Sequence, residues 1–216
     1  MKTIIISGTS RGLGRSFMNL LKNKNKLILL NRVSLDEDKK NPLTEFIKCD
    51  LKNPNEVISK IKKSKLLKKS KEIIFINNAG IIDPIVPISQ LNMKNMQDSL
   101  NINFLSPISI SNYLCSLNKK IKIINISSGA AIKPIAYWSM YCSTKAATRM
   151  FMNVLKNEEK ATIVNIYPGI MNTLLQEKIR QTKFPDQNKF IKFQSNKQLK
   201  NSKDVARKIL LKEKLI

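Results

Sequence analysis

Short runs of aliphatic residues alternate along the chain with longer segments in which apolar positions recur every three to four residues. The first pattern marks buried strands and the second amphipathic helices. Apolar, largely β-branched runs at 3–6, 27–30, 46–49, 73–76, 121–126 and 161–166 predict six strands. Helices are predicted from the glycine-rich turn onward, with Leu13, Phe17, Leu20 and Leu21 inward, and over 54–71, with Val57, Ile58, Ile61, Leu66 and Leu67 inward and lysines outward. A long helix over 93–117 is open to a break near Asn95, and another starts near Ser139 and runs on through Leu155. Beyond Leu174 the chain turns polar, with helices expected at 174–182 and 203–212. Regular strand–helix alternation predicts an α/β fold, a three-layer doubly wound parallel sheet of at least six strands, with no repeat and no linker.

Composition narrows the class. A chain of 216 residues with 42% hydrophobic content supports one buried domain, taken as 1–216. The formal charge of +24, from 39 Lys and Arg against 15 Asp and Glu, raises a nucleic-acid reading. The excess is mostly lysine spread along the chain, without the planar fork that arginine brings to recognition, so no nucleic-acid partner is expected. The positive field suits phosphorylated cofactors. Histidine is absent, which excludes Ser-His-Asp and Cys-His hydrolases and most zinc sites, so no metal is expected. Cys49, Cys115 and Cys142 are odd in number and unclustered, as reduced thiols in a cytoplasm would be. The opening apolar run stops at Ser7 and Gly8, too short for a signal segment, and no run of about 18 apolar residues follows, so no membrane partner is expected.

The ends of the predicted strands hold the candidate chemistry. SGTSRGLG at 7–14 places Gly8, Gly12 and Gly14 between a strand and a helix. Such a turn lets backbone approach a diphosphate while the helix end offers unpaired N–H groups and partial positive charge. The second strand ends in Asn31 and Arg32 with no acidic residue for a ribose hydroxyl; Arg32 and Arg11 suit a 2′-phosphate, favouring NADP(H) over NAD. Asp36 and Asp38 read as solvated turn residues. Asp50 and Leu51 follow the third strand, where an adenine would border them, and Asn77, Asn78, Ala79 and Gly80 end the fourth, as a ribose-facing segment or a plain turn.

Asn103 lies four residues before Pro107, which cannot donate to its carbonyl; that acceptor is free either for a water chain toward Lys145 or to produce only a mild kink. Tyr141 and Lys145 share a helix face, where a nearby ammonium lowers a phenol pKa from about 10. Ser128 precedes Tyr141 at a strand's carboxyl end, which completes a Ser-Tyr-Lys proton-transfer set. Tyr137, Trp138, Pro84, Ile85 and the segment after Gly169 are candidates for an apolar substrate wall, with packing at a subunit interface the alternative for Trp138.

Assembled in order, these residues make the chain resemble the short-chain dehydrogenase/reductases of the single-domain branch. SGTSRGLG, NNAG at 77–80, Asn103, Ser128, YCSTK at 141–145 and PGIMNT at 168–173 stand in that family's register. Within the family, the segments around 126–147 and 167–180 look most like bacterial sepiapterin-reductase-like or benzil-reductase-type carbonyl reductases. The resemblance implies a Rossmann fold and an NADPH-dependent carbonyl reductase acting on a small-molecule ketone or diketone. Tyr141 would then donate the proton, Lys145 bind the nicotinamide ribose, Ser128 hold the carbonyl and Asn103 support the relay. Cofactor contacts would come from Gly8, Ser10, Arg11, Gly12, Leu13, Gly14, Asn31, Arg32, Asp50, Leu51, Asn78, Ala79, Gly80, Pro168, Gly169 and Thr173. Ser7 replaces the family's usual threonine and keeps the hydroxyl. A seventh strand is missing or degenerate, which points away from the tetramer that many relatives build on it; a homodimer is expected. The rival readings are a non-catalytic NADP(H)-binding redox sensor, a family member oxidising a secondary alcohol, and a nucleotide-sugar epimerase or dehydratase.

Overall fold

The computed structural model describes residues 2–33 and 41–216, so Asp36 and Asp38 lie outside the described residues. All six apolar runs form strands: β1 (Thr3–Ser7), β2 (Lys26–Asn31), β3 (Thr44–Lys48), β4 (Glu72–Asn77), β5 (Lys120–Ile126) and β6 (Thr162–Ile166). They pair in parallel, in the order β3-β2-β1-β4-β5-β6. Because successive side chains point to opposite faces, β1 sends Ile5 to one side and Ile4 and Ile6 to the other. All three are fully buried, each contributing about 1.5–3 kcal/mol of transfer free energy.

Helices cover both faces. On the Ile4 and Ile6 side, α1 (Gly12–Leu21) packs Leu13, Phe17, Met18 and Leu21 against the sheet beside a helix near the end of the chain. On the Ile5 side lie α2 (Pro54–Lys62), α3 (Lys65–Lys68), α4 (Met93–Leu100), α5 (Ser106–Cys115) and α6 (Ser139–Asn157). Val57, Ile61, Leu67, Ile110, Leu114, Met152 and Leu155 from these helices enter that core. Three further helices follow β6: α7 (Leu174–Gln181), α8 (Gln187–Ser195) and α9 (Ser202–Lys212), the last packing on α1. Among the described residues no seventh strand follows, and none of the helices is long and apolar enough to cross a membrane.

Three local expectations are corrected. The single helix over 54–71 is two, because Ser64 interrupts it: its buried hydroxyl donates to Glu45 at 2.8 Å and accepts from Leu67 N–H at 3.1 Å. A polar residue with that much to bond off-helix favours a cap over a helix interior. The segment 93–117 is interrupted at Asn101–Leu105, not near Asn95. There the backbone forms one π-turn, with Ser106 N–H bonded to Asn101 O. Helix α8 lies where only polar chain was expected. Phe190 holds it in place, packing at 5.2 Å between ring centroids from Trp138, a tertiary contact that local propensity does not reveal.

Candidate active site

The carboxyl ends of the strands open into one cavity of about 1610 Å³, which runs from the glycine turn to α8. It lies beside the β1/β4 junction, where the strand order reverses, the place at which doubly wound sheets take their ligands. Of the cofactor residues expected from the sequence, all except Gly14 line it; Ser128, Tyr141 and Lys145 line it too, while Asn103 stands behind it.

Gly14 has a different task. A β-carbon there would sit 2.1 Å from the Gly8 carbonyl oxygen and 2.5 Å from Asn78 Nδ2, so its bare backbone lets α1 close against the turn. Gly8 adopts φ +74°, open to glycine at no steric penalty. The turn is pinned from β4: Asn78 Nδ2 donates to the carbonyls of Ser7 and Gly8 at 3.0 and 3.1 Å. The Ser7 hydroxyl in turn accepts from the N–H groups of Asn78 and Ala79, both at 3.1 Å, so serine performs the task expected of the usual threonine. The first turn of α1 has neither a side-chain cap nor an acidic residue. Its free N–H groups and positive end are therefore available to an anion.

Around this turn, Ser10, Arg11 and Arg32 are exposed at the cavity rim. Asn31 is committed elsewhere: its Oδ1 accepts from Thr9 N–H at 2.6 Å and its amide donates to the Thr9 hydroxyl. It thus braces the glycine turn from β2. Asp50 and Leu51 line the same end, with Asp50 Oδ1 held by Lys52 N–H at 3.0 Å. Thr173 caps α7 and brings its methyl within 3.5 Å of a β-carbon position on Gly12, placing the 168–173 segment over the turn.

At the other end, β5 delivers Ser128 and α6 delivers Tyr141 and Lys145. The Ser128 hydroxyl, which accepts from Ala130 N–H at 3.2 Å, stands near enough to the Tyr141 phenol to influence its titration, and Lys145 Nζ lies 5.8 Å from the phenol ring centroid. Lys145 also donates to the Ile126 carbonyl at 3.1 Å. Both α6 side chains are buried, and burial dominates their titration. It lowers Lys145 to about 8, and it raises Tyr141 above its ordinary value, with the nearby Ser128 hydroxyl pulling the other way. The expected fall of the Tyr141 pKa is thus reversed in the protein alone: desolvation of the phenolate outweighs what its neighbours return.

Asn103 makes its contacts within the fold. Its carbonyl, freed by Pro107, accepts from the Thr148 hydroxyl at 2.8 Å. The side chain ties down the NNAG turn, with Oδ1 accepting from Ile81 N–H at 2.9 Å and Nδ2 donating to the Ile81 carbonyl at 2.8 Å. Its Oδ1 and Lys145 Nζ flank Gly80, at 3.2 and 3.5 Å from a β-carbon position there. Thr144, 3.2 Å from Asn103 Nδ2, and Thr148 were not singled out from the sequence. The signal was present: 141, 144, 145 and 148 fall on one face of α6.

Of the wall candidates, Trp138 and the segment after Gly169 line the cavity, whereas Tyr137, Pro84 and Ile85 sit behind it. Trp138 packs within its own chain, 5.8 Å from Tyr141 and 5.7 Å from Phe184 between ring centroids, which answers the subunit-interface alternative. Phe190 and Phe193 of α8 extend this wall and were missed with their helix.

This arrangement has close counterparts. A family model described as short chain dehydrogenase matches residues 2–183. Benzil reductase ((S)-benzoin forming) of Bacillus cereus is 31% identical over 97% of this chain and 92% of its own. Sepiapterin reductase of Xenopus tropicalis is 26% identical, the match covering 87% of this chain and 81% of that protein. The crystal structure of the KRED1-Pglu enzyme superposes with a TM-score of 0.83 at 25% identity, covering 95% and 92% of the two chains. A 4-hydroxyisoleucine dehydrogenase complexed with NADH gives 0.74 at 25% identity, over 85% of this chain and 79% of that one. The chain belongs to the short-chain dehydrogenase family.

Proposed function

We propose that this protein reduces a ketone or diketone carbonyl at the expense of NADPH. The observation that carries the reading is the convergence of Ser128, Tyr141 and Lys145 at one end of a cavity whose other end is the glycine turn. The residues present fit a dinucleotide. The uncapped N-terminus of α1 meets a diphosphate, and Gly80 keeps the floor low beside Lys145. When bound, the nicotinamide supplies a hydride to the carbonyl carbon.

The chain's own groups do the rest. Ser128 holds the carbonyl oxygen by hydrogen bonding, and Tyr141 gives that oxygen a proton as negative charge develops on it. Lys145 holds the nicotinamide ribose, and Asn103 supports the proton relay from behind by fixing the Ile81 backbone next to Lys145. A phenol kept protonated by burial is the form that reduction needs at the start, whereas alcohol oxidation needs the phenolate.

The choice of NADPH rests on Arg11 and Arg32 at the rim and on Asn31, whose side chain is already committed to Thr9. Two guanidiniums form charge-assisted bonds to a 2′-phosphate that a ribose hydroxyl does not reward. A benzil reductase and a sepiapterin reductase among the relatives support a carbonyl substrate. The test is consumption of NADPH and of NADH by the purified chain with benzil and with pterin-like carbonyls. NADPH-dependent turnover of a diketone is the expected result. No carbonyl-dependent consumption of either cofactor would overturn the reading.

A further inference from the structure

The cavity takes the carboxyl ends of the strands, and the opposite end of the sheet has a chemistry of its own. Strands β2, β1, β4 and β5 are adjacent and parallel, so their first residues stand in a row about 4.8 Å apart. Thr3 is in register with Lys26 and Ile73, and Glu72 with Lys120. Main-chain bonds carry the row outward: Lys26 N–H donates to the Lys2 carbonyl at 3.1 Å, and Lys120 N–H to the Lys71 carbonyl at 3.2 Å. Lys26, Lys2, Lys71 and Lys120 therefore follow one another across about 15 Å of the sheet. Lys24 and Lys69 each precede this row by two residues in the chain.

Little offsets that charge. Among the described residues the row has one carboxylate, Glu72, which Lys2 and Lys120 share at 4.0 and 3.9 Å. Glu45 on β3 is bonded to the Ser64 hydroxyl and Leu66 N–H, and Glu213 at the end of α9 is paired with Lys122 at 2.8 Å. Glu158 and Glu159 lie beyond β5, ahead of β6. The ammonium groups of Lys24, Lys26, Lys69 and Lys71 have no hydrogen-bond or ion-pair partner among the described residues. Helices α1 and α5 end at this pole, and a helix C-terminus favours a cation, but each accounts for only about half a charge. The lysines exceed what the fold needs.

The partner that fits is a polyanion of high charge density. No large apolar side chain is exposed within 22–26, 62–72 or 116–120, so nothing would enter the headgroup layer of an anionic bilayer beside the lysines. The same lack of exposed rings removes the stacking platform that single strands use. Lysine meets phosphates as a point charge and does not read bases by a planar fork. We propose that this lysine face binds the phosphate backbone of double-stranded DNA, without sequence preference, at the pole opposite the cavity. Along the chain the six lysines fall in four separate segments, and the expectation of no nucleic-acid partner rests on that spread; the sheet gathers them. Strands of five to seven residues hold the two poles about 15–20 Å apart, so duplex and dinucleotide bind together.

The test is fluorescence anisotropy of a labelled DNA duplex of about 20 base pairs, titrated with the chain saturated with NADP⁺. Four free ammonium groups on four phosphates give a slope of about −4 in log affinity against log salt, so binding should weaken about a hundredfold between about 50 and 200 mM KCl. Two duplexes of unrelated sequence should bind alike. Replacing Lys24, Lys26, Lys69 and Lys71 together by Gln should remove most of the salt dependence and weaken binding at low salt at least about tenfold. Replacing Lys183, Lys192, Lys197 and Lys208 by Gln changes the net charge equally and should leave binding within about twofold of the wild type. Equal loss in the two variants would show that total charge, not this face, attracts the duplex, and would overturn the proposal. Displacement of the duplex by NADP⁺, which would place it in the cavity, would do so too, as would no binding at low salt. Tighter binding to phosphatidylglycerol vesicles than to the duplex would overturn it in favour of a lipid surface. None of these outcomes depends on carbonyl reduction, which the four substitutions at the lysine face should leave unchanged.

Discussion

The hydroxyl of Thr148 donates to the main-chain carbonyl of Asn103 at 2.8 Å, taking the acceptor that Pro107 leaves without its helical partner. The Thr144 carbonyl lies equally close to the same hydroxyl, at 2.8 Å, so one proton is shared between two acceptors and α6 is fastened to the π-turn at the level of Lys145. Thr148→Val keeps the shape and removes the donor. It should lower unfolding stability by about 1–3 kcal/mol, the cost of a buried unpaired carbonyl, measured by urea denaturation.

Gly14 is the tightest point of the glycine turn. Gly14→Ala places a methyl 2.1 Å from the Gly8 oxygen, a clash with backbone that cannot rotate away. A destabilisation of at least about 1–3 kcal/mol is expected, together with a loss of cofactor binding as α1 is pushed off the turn. Thermal unfolding and cofactor titration on the same sample check both parts.

How far the sequence anticipates these features depends on the range of the interaction behind each. Strand runs such as 73–76 are buried on both faces, so local hydrophobicity alone marks them. The Gly8 turn, Ser128 and the Tyr141–Lys145 pair carry local signatures of spacing and residue type, and the cavity brings them together. The break at Ser64 depends on Glu45, nineteen positions away, and α8 depends on Phe190 packing against Trp138, 52 positions earlier. The Tyr141 pKa shows a further limit: a four-residue spacing predicts a neighbouring charge, but only the packed structure shows how completely the phenol is desolvated.

Arg11 and Arg32 should govern which dinucleotide is used. Arg32→Ala should raise the KM for NADPH by about tenfold or more while leaving that for NADH nearly unchanged, with Arg11→Ala acting in the same sense. Initial rates with both cofactors separate a 2′-phosphate contact from a general loss of binding.

Burial of Lys145 has a consequence for stability. Its folded pKa, about 8, lies below the ordinary 10.5, so between those values the unfolded chain holds a proton that the folded chain has released. Stability contributed by this group therefore rises with pH across about 8 to 10.5 and is flat below it. Lys145→Met should remove that rise. Urea unfolding of both proteins at pH 7.5, 9 and 10 measures the difference.

The central claim is that the Tyr141 hydroxyl delivers the proton. Replacing it in Tyr141→Phe removes one oxygen atom and little else, so NADPH titration and benzil-dependent NADPH consumption can be compared directly with the wild type. The account predicts cofactor binding within about twofold of the original and turnover reduced at least about a hundredfold, as expected for loss of a general acid. Turnover at the wild-type rate would contradict it.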